Sequence, residues 1–358
     1  MINKTDTKRA VPLVLTAALL LSGCGVNGTS AGQNQKPDGV QEETQVQTAE
    51  VKEVAILSTA ESRIVADSTD IKAGTGIAYQ DTDFSTPEDY FYKYSNVDYG
   101  EIDDRVTYYS STIGEDKQCG VLLPPGYDTS KKYPVVYLLH GFGGDHFDWN
   151  RGDCYVQDIY GNMLANNTAV PAIVVMPDMY TAPADTKETA DGEQKRAAYD
   201  KLVYDLENDL MPYIESHYAV KTGRENTAII GTSQGGTEAL AIGFLLQDKI
   251  GYIGSLAPCP GVIPTPYNEG TYWNTPLMDD FTIESPAMAP YYLQLVAGTT
   301  DPWCLEPTKY YENVLTDEQI AHTYYLLDGA GHEDSVWENG LYQFFKRIFK
   351  QYRRRIKL

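Results

Sequence analysis

The chain has 358 residues, 42% of them hydrophobic and 22% charged, which is enough to bury one sizeable core, and it carries no visible internal repeat. Its 50 acidic against 28 basic side chains give a formal net charge of -22, which argues against nucleic acid or a broad anionic surface as the partner. The five cysteines match no zinc spacing, so no metal and no cofactor is expected.

The first residues read as an export signal. Lys4, Lys8 and Arg9 form a cationic start, and residues 10–21 are an apolar run too short to span a bilayer as a mature helix. Leu21-Ser22-Gly23-Cys24 resembles the lipobox of bacterial lipoproteins. That likeness implies a signal peptide over 1–23, a lipid on the Cys24 thiol, and a location at the extracellular face of the cell membrane, held by the anchor. Residues 24–85 are rich in Thr, Gln, Glu, Asp and Ser and bury too little to offset their ordering, so they are expected to be a flexible tether. Residues 86–358 are then one domain, ending in a basic stretch over 346–357 that suits the solvated face of a terminal helix or a contact with anionic lipid or wall polymer.

Along that domain, apolar runs alternate with helical patterns, as a sheet with crossover helices requires. Residues 105–111 and 118–123 look like an opening antiparallel pair, ended by Pro124-Pro125-Gly126. Three buried strands are expected at 133–139, 172–176 and 227–230, and further ones at 251–256, 291–297 and 322–327. Leu202, Val203, Leu206, Leu210 and Ile214 recur at helical spacing, with a disturbance expected at Pro212. A helix over 335–356 closes the fold. The class is α/β: a mostly parallel central sheet flanked by helices, preceded by an N-terminal antiparallel strand pair.

Gly231-Thr232-Ser233-Gln234-Gly235-Gly236 lies between the strand at 227–230 and a helical run at 237–246. In that strand-turn-helix context a G-x-S-x-G match is a nucleophile elbow: the glycines avoid collision with neighbouring elements, and the tight turn lifts the Ser233 hydroxyl above the sheet. A serine needs a base to take its proton. Of the five histidines, His217 and His322 suit capping or packing, while His332 lies in the mobile Gly329-Ala330-Gly331-His332 loop after the last expected strand. The orienting acid should fall between serine and histidine in sequence. Asp301 follows the strand at 291–297 through Gly298-Thr299-Thr300; Asp279, Asp280, Glu306, Asp317 and Asp328 are rivals without that placement. Two N–H donors are needed for a developing oxyanion, here expected from the backbone of Gln234 and of Phe142 in the loop His140-Gly141-Phe142-Gly143-Gly144-Asp145. His140 is expected to fix that loop by hydrogen bonding rather than to act as a second base.

Taken with Leu123-Pro124-Pro125-Gly126-Tyr127, Trp149 and Val336-Trp337, these motifs make residues 105–349 similar to the feruloyl and acetyl-xylan esterases of the first carbohydrate-esterase family, related to esterase D-like hydrolases. The resemblance implies an α/β-hydrolase fold, a Ser233-Asp301-His332 triad and an oxyanion hole at Phe142 and Gln234. It implies a serine carboxylesterase acting on feruloyl or acetyl groups of plant cell-wall xylan or its oligosaccharides, so the expected partner is an acylated plant polysaccharide or oligosaccharide. One departure is Gln234, where these enzymes usually carry methionine, which leaves the polarity of the acyl pocket open.

Trp149, Trp303 and Trp337 each stand close in sequence to a proposed active-site residue and offer flat faces for a sugar ring or hydroxycinnamoyl group, although Trp149 and Trp337 also fit a core role. Residues 179–198 form a polar insertion placed where a lid or substrate-contacting loop would be. Cys259 and Cys304 could fall near each other at the ends of neighbouring strands. Two other readings use the same scaffold: an acyltransferase or siderophore-type esterase, and a non-catalytic surface carbohydrate-binding lipoprotein.

Overall fold

β-Branched and aromatic runs bounded by Gly, Pro and Asp make the strands, and in a computed structural model nine of them join one sheet among the described residues, 62–65, 83–151, 156–271 and 274–350. They are β1 (Ser62–Val65), β2 (Glu101–Ser110), β3 (Glu115–Leu123), β4 (Val135–Leu139), β5 (Ile173–Pro177), β6 (Thr227–Thr232), β7 (Tyr252–Leu256), β8 (Tyr292–Gly298) and β9 (His322–Leu327). Their spatial order is β1-β9-β8-β7-β6-β4-β5-β3-β2. The pairs from β5 through β4, β6, β7 and β8 to β9 are parallel, while β2–β3, β3–β5 and β1–β9 are antiparallel. Register carries the carboxyl ends of the parallel strands to one rim: Leu139 faces Gly231, Thr232 faces Leu256, and Gly298 faces Leu327. In such sheets ligands bind beyond that rim, where loops diverge from a rigid base.

The period-two alternation of each strand divides the core in two. Val135, Tyr137 and Leu139 of β4 face one layer, and Val136 and Leu138 the other. The first layer is covered by α2 (Gly192–Tyr199), α3 (Leu202–Asp205), α4 (Met211–His217), α5 (Gln234–Leu245) and α6 (Leu305–Asp317). The second is covered by α1 (Val156–Ala165) and α7 (Asp334–Arg347). Because both faces are covered, β4, β5, β7 and β8 are buried at every residue, which is why they read as continuous apolar runs.

The expected architecture is present, and its departures have local causes. The opening pair begins at Glu101, four residues earlier than expected. Residues 206–210 are a π turn joining α3 to α4, so the helix is disturbed just before Pro212, whose ring nitrogen cannot donate to the preceding turn. The closing helix stops at Arg347, short of the expected end at 356: Ile348 is extended and Phe349 has φ 58°, a turn that buries both side chains. Residues 351–358 lie outside the described residues, as do the signal segment 1–23, Cys24 and Cys154.

The segment read as a tether contains ordered pieces. Ser62–Val65 pairs antiparallel with β9. Phe84 is buried, with its ring stacked on Tyr325 at 4.4 Å and its carbonyl accepting from Asn339 Nδ2 at 3.1 Å. The folded domain therefore begins before residue 86.

Candidate active site

The turn after β6 places Ser233 at φ 54°, ψ -119°, a left-handed conformation costing roughly 1–3 kcal/mol for a residue with a side chain. It is held there by its N–H donating to Leu256 O at 2.8 Å and by its carbonyl accepting from Thr237 N at 3.0 Å. Gly235 lets the start of α5 press against the loop after β4: a Cβ there would lie 2.6 Å from Leu139 O and closer still to His140 O.

His332 Nε2 lies 2.9 Å from Ser233 Oγ, and its Nδ1 lies 2.7 Å from Asp301 Oδ2. Since a carboxylate accepts, Nδ1 carries the proton and Nε2 is left to accept from the serine hydroxyl. The two loops involved are tied together, because Thr300 N–H and Thr300 Oγ1 both donate to Ala330 O, at 2.9 and 2.8 Å. Asp301 Oδ1 also accepts from the N–H groups of Trp303 and Cys304, each at 2.9 Å. Burial alone would raise the Asp301 pKa, but the hydrogen bonds from His332, Cys304 and Trp303 outweigh it, and the carboxyl ends below its ordinary value. The acid thus stays ionised, which suits a group that orients an imidazole and stabilises its positive form.

The third wall is the loop after β4. Gly141 stands against the nucleophile, its Cβ position 3.8 Å from Ser233 Cβ. His140 holds the loop as expected: Nδ1 donates to Gly141 O at 2.7 Å, and Nε2 accepts from Met179 N at 2.9 Å. Gly143, at φ 79°, donates its N–H to the Tyr199 hydroxyl at 2.9 Å. The fully buried Tyr199 ring packs edge-on against Phe142 and His140.

Tyr199 closes α2, the helix in which the insertion over 179–198, expected as a lid or substrate-contacting loop, ends. A capping box between Asp191 and Gln194 starts this helix, and Arg196 and Ala198 are buried. Arg196 Nη2 donates to Gly261 O at 3.3 Å, and its guanidinium faces two carboxylates: Asp200 Oδ1 at 2.6 Å from Nε, off the N–H axis, and Glu238 Oε1 at 3.7 Å from Nη1. Gln234 Nε2 donates to Glu238 Oε1 at 2.7 Å. The residue that departs from the family pattern is therefore buried and directed into this cluster. Burial, with Asp200 adding to it, pushes the Glu238 carboxyl up to about 8.

Among the expected aromatic contacts, only Trp303 stands open, at 67% exposure, with its ring 5.4 Å from that of His332. Trp337 is buried and packs edge-on behind His332 at 4.9 Å, backing the imidazole while leaving little surface for a ligand. Trp149 is 3% exposed within the second core layer, so its reading as a substrate contact is corrected to a core residue. Phe142, expected to contribute its backbone N–H, also presents an open aromatic ring, at 38% exposure.

Residues missed in the sequence are Tyr199, Arg196 and Glu238, whose roles depend on a helix packing across the elbow; Cys259, expected near Cys304, also places its Sγ 3.5 Å from Ser233 Oγ. Asp301, Cys304 and His332 offer donor atoms within 4.8 Å of one another, but two of these atoms are already joined by the acid-base hydrogen bond.

Residues 110–292 match the Esterase family model, described as "Putative esterase". An endo-1,4-beta-xylanase/feruloyl esterase of Xylanibacter ruminicola is 30% identical over 192 residues, covering 52% of this chain and 24% of that protein. An esterase of Mycobacterium tuberculosis is 33% identical over 154 residues, covering 40% and 30% respectively. The chain thus spans less than a third of the length of these curated relatives. A CE1 ferulic acid esterase from Anaeromyces mucronatus, solved in complex with ferulic acid, superposes with a TM-score of 0.68 at 33% identity, covering 75% of this chain and 97% of that one.

Proposed function

This chain belongs to the esterase family and to its CE1 branch, and on that premise we propose that it is a serine esterase removing feruloyl or acetyl groups from plant cell-wall xylan or its oligosaccharides. The observation that carries the reading is the unbroken Ser233-His332-Asp301 hydrogen-bond chain, at 2.9 and 2.7 Å. In the proposed mechanism His332 Nε2 takes the Ser233 proton as Oγ attacks the ester carbonyl. The oxyanion is met by the N–H groups of Gln234 and Phe142. His332 then returns the proton to the departing sugar hydroxyl, leaving an acyl group on Ser233. A water, activated by the same imidazole, attacks this acyl-enzyme and releases the acid.

The open rings of Trp303 and Phe142 favour a planar hydroxycinnamoyl group or a sugar ring at the mouth of the site. The feruloyl esterase and ferulic acid esterase among the similar proteins agree with this choice. A non-catalytic binding role is disfavoured, because a decayed site would be expected to have lost a triad member.

The test is cleavage of methyl ferulate and of acetylated xylo-oligosaccharide by the purified protein, alongside Ser233→Ala. We expect the wild type to cleave at least one and the variant to lose this activity; full activity in the variant rejects the triad. Product analysis separates hydrolysis from acyl transfer, which needs an acceptor other than water.

Anchoring at the extracellular face through Cys24 belongs to the same proposal and rests on the Leu21-Ser22-Gly23-Cys24 motif. Cys24→Ala should abolish incorporation of labelled fatty acid; a fully labelled variant would overturn the anchor.

A further inference from the structure

Two buried thiols meet at the wall of this site. Cys259 lies in the turn after β7 between Pro258 and Pro260, and Cys304 immediately precedes α6; they are 4% and 0% exposed. Their sulfurs are 3.1 Å apart, inside the ~3.5–4.0 Å optimum of non-bonded carbon atoms, although sulfur is larger. Both backbones are pinned. Cys259 O accepts from Thr237 Oγ1 at 3.1 Å and from the Tyr311 hydroxyl at 2.9 Å. Cys304 N–H donates to Asp301 Oδ1 at 2.9 Å, and Cys304 O accepts from Thr308 N at 3.0 Å and Thr308 Oγ1 at 2.6 Å. With the main chain pinned on both sides, the thiols are held together, and the bond to be formed is about 2.05 Å long.

We propose that Cys259 and Cys304 are a modification site that closes into a disulfide, fastening the loop that carries Asp301 to the wall beside Ser233. The oxidant is a low-molecular-weight disulfide that reaches Cys259 from the side of the nucleophile, whose Oγ lies 3.5 Å from Cys259 Sγ. Cys259 is the attacking sulfur because it is the one that lies against the Ser233 hydroxyl; hydrogen bonds from Cys304 and then Ser233 hold its pKa below the ordinary thiol value, while the contact with Cys259 and burial push Cys304 up. One sulfur of the external disulfide leaves with the proton of Cys259, giving a mixed disulfide. Cys304 then attacks the Cys259 sulfur and expels the second external thiol, which takes the remaining proton. Two protein thiols are oxidised and one external disulfide is reduced to two thiols. The cross-link joins residues 45 apart, which removes freedom chiefly from the unfolded chain.

The experiment equilibrates the full chain with mixtures of reduced and oxidised glutathione, traps remaining thiols with N-ethylmaleimide, and maps tryptic peptides by mass. We expect a linked peptide pair containing Cys259 and Cys304, lighter than the sum of its reduced halves by about 2 Da, the two hydrogens lost in the exchange. The oxidised protein should melt roughly 5–10 °C above the reduced one, and Cys259→Ser should lose both the linked pair and the shift. Complete alkylation of both residues at every redox ratio would overturn the proposal, as would linkage of either one to a different cysteine. The wild-type peptide map decides the matter even where the serine variant fails to fold.

Discussion

Ser233 is held in a backbone conformation that a side chain disfavours, and the side chains around it are those that keep it there and keep the loop after β4 in register. Tyr199 is the sharpest test of this. Its hydroxyl accepts from Gly143 N, next in sequence to the proposed Phe142 donor. Tyr199→Phe removes that one acceptor and leaves the ring packing intact. We expect kcat to fall roughly ten-fold, as the loss of one buried hydrogen bond of about 1–2 kcal/mol implies, with KM little changed. Equal kcat in the variant would show that the loop keeps its shape without this contact. Trp303→Ala makes the complementary prediction: an exposed ring that only touches substrate should raise KM for feruloyl esters and leave small acetyl esters nearly unaffected. The triad was legible from three local contexts. Tyr199 was not, because a tyrosine at the end of a polar insertion has no motif and acquires its role only where α2 packs against the loop after β4.

At the scale of elements, the site is a set of turns, each fixed by the strand before it. The β6–α5 turn depends on Gly235. Gly235→Ala puts a methyl group into Leu139 O and His140 O and should destabilise by about 1–3 kcal/mol while displacing the β4 loop; a melting curve with an activity assay checks both. Unchanged melting would mean that the two elements separate more easily than their backbone packing suggests. The central parallel strands were readable because burial on both faces leaves little choice but apolar runs, whereas β1 falls in a segment read as tether. Helix ends were less readable: Pro212 marked in advance the disturbance found as the π turn over 206–210, but the stop at Arg347 responds to the burial of Phe349, which periodicity does not report. The insertion over 179–198, expected as a lid or substrate-contacting loop, hid its buried residues for a related reason. One of its charges is used inward, Arg196 facing Asp200 and Glu238, and composition alone does not distinguish a charge in solvent from a charge in a buried cluster.

For the whole molecule, that cluster links stability to pH. Glu238 is raised from its ordinary 4.5 to about 8 by burial first and then by Asp200, so the folded state binds a proton that the unfolded chain has released. Its stabilising contribution is complete below pH 4.5 and is lost as pH rises towards and through about 8. Asp301 and Asp178, both held below their ordinary values, have the opposite sign and lose stability as pH falls. We expect Glu238→Gln, which keeps a neutral side chain of the same shape, to melt higher than wild type at alkaline pH and to show no advantage near pH 4.5. A pH-independent difference between the two proteins would remove Glu238 from this role. Phe84→Ala tests the other end of the fold: loss of a buried ring stacked on Tyr325 should cost about 3–5 kcal/mol, read by chemical denaturation, and a cost near zero would return residues 83–86 to the tether.

By itself the sequence determined eight of the nine strands found among the described residues, the elbow, and the three residues that the proposed chemistry needs. Those depend on interactions within a few residues: alternation, turn glycines, and a polar residue immediately after a strand. Only the tertiary structure decided which aromatic rings face the open site, that Gln234 turns to Glu238, and that Cys259 and Cys304 stand sulfur to sulfur. These depend on how far apart two elements come to rest when packed, and the sum of all the side chains between them sets that distance.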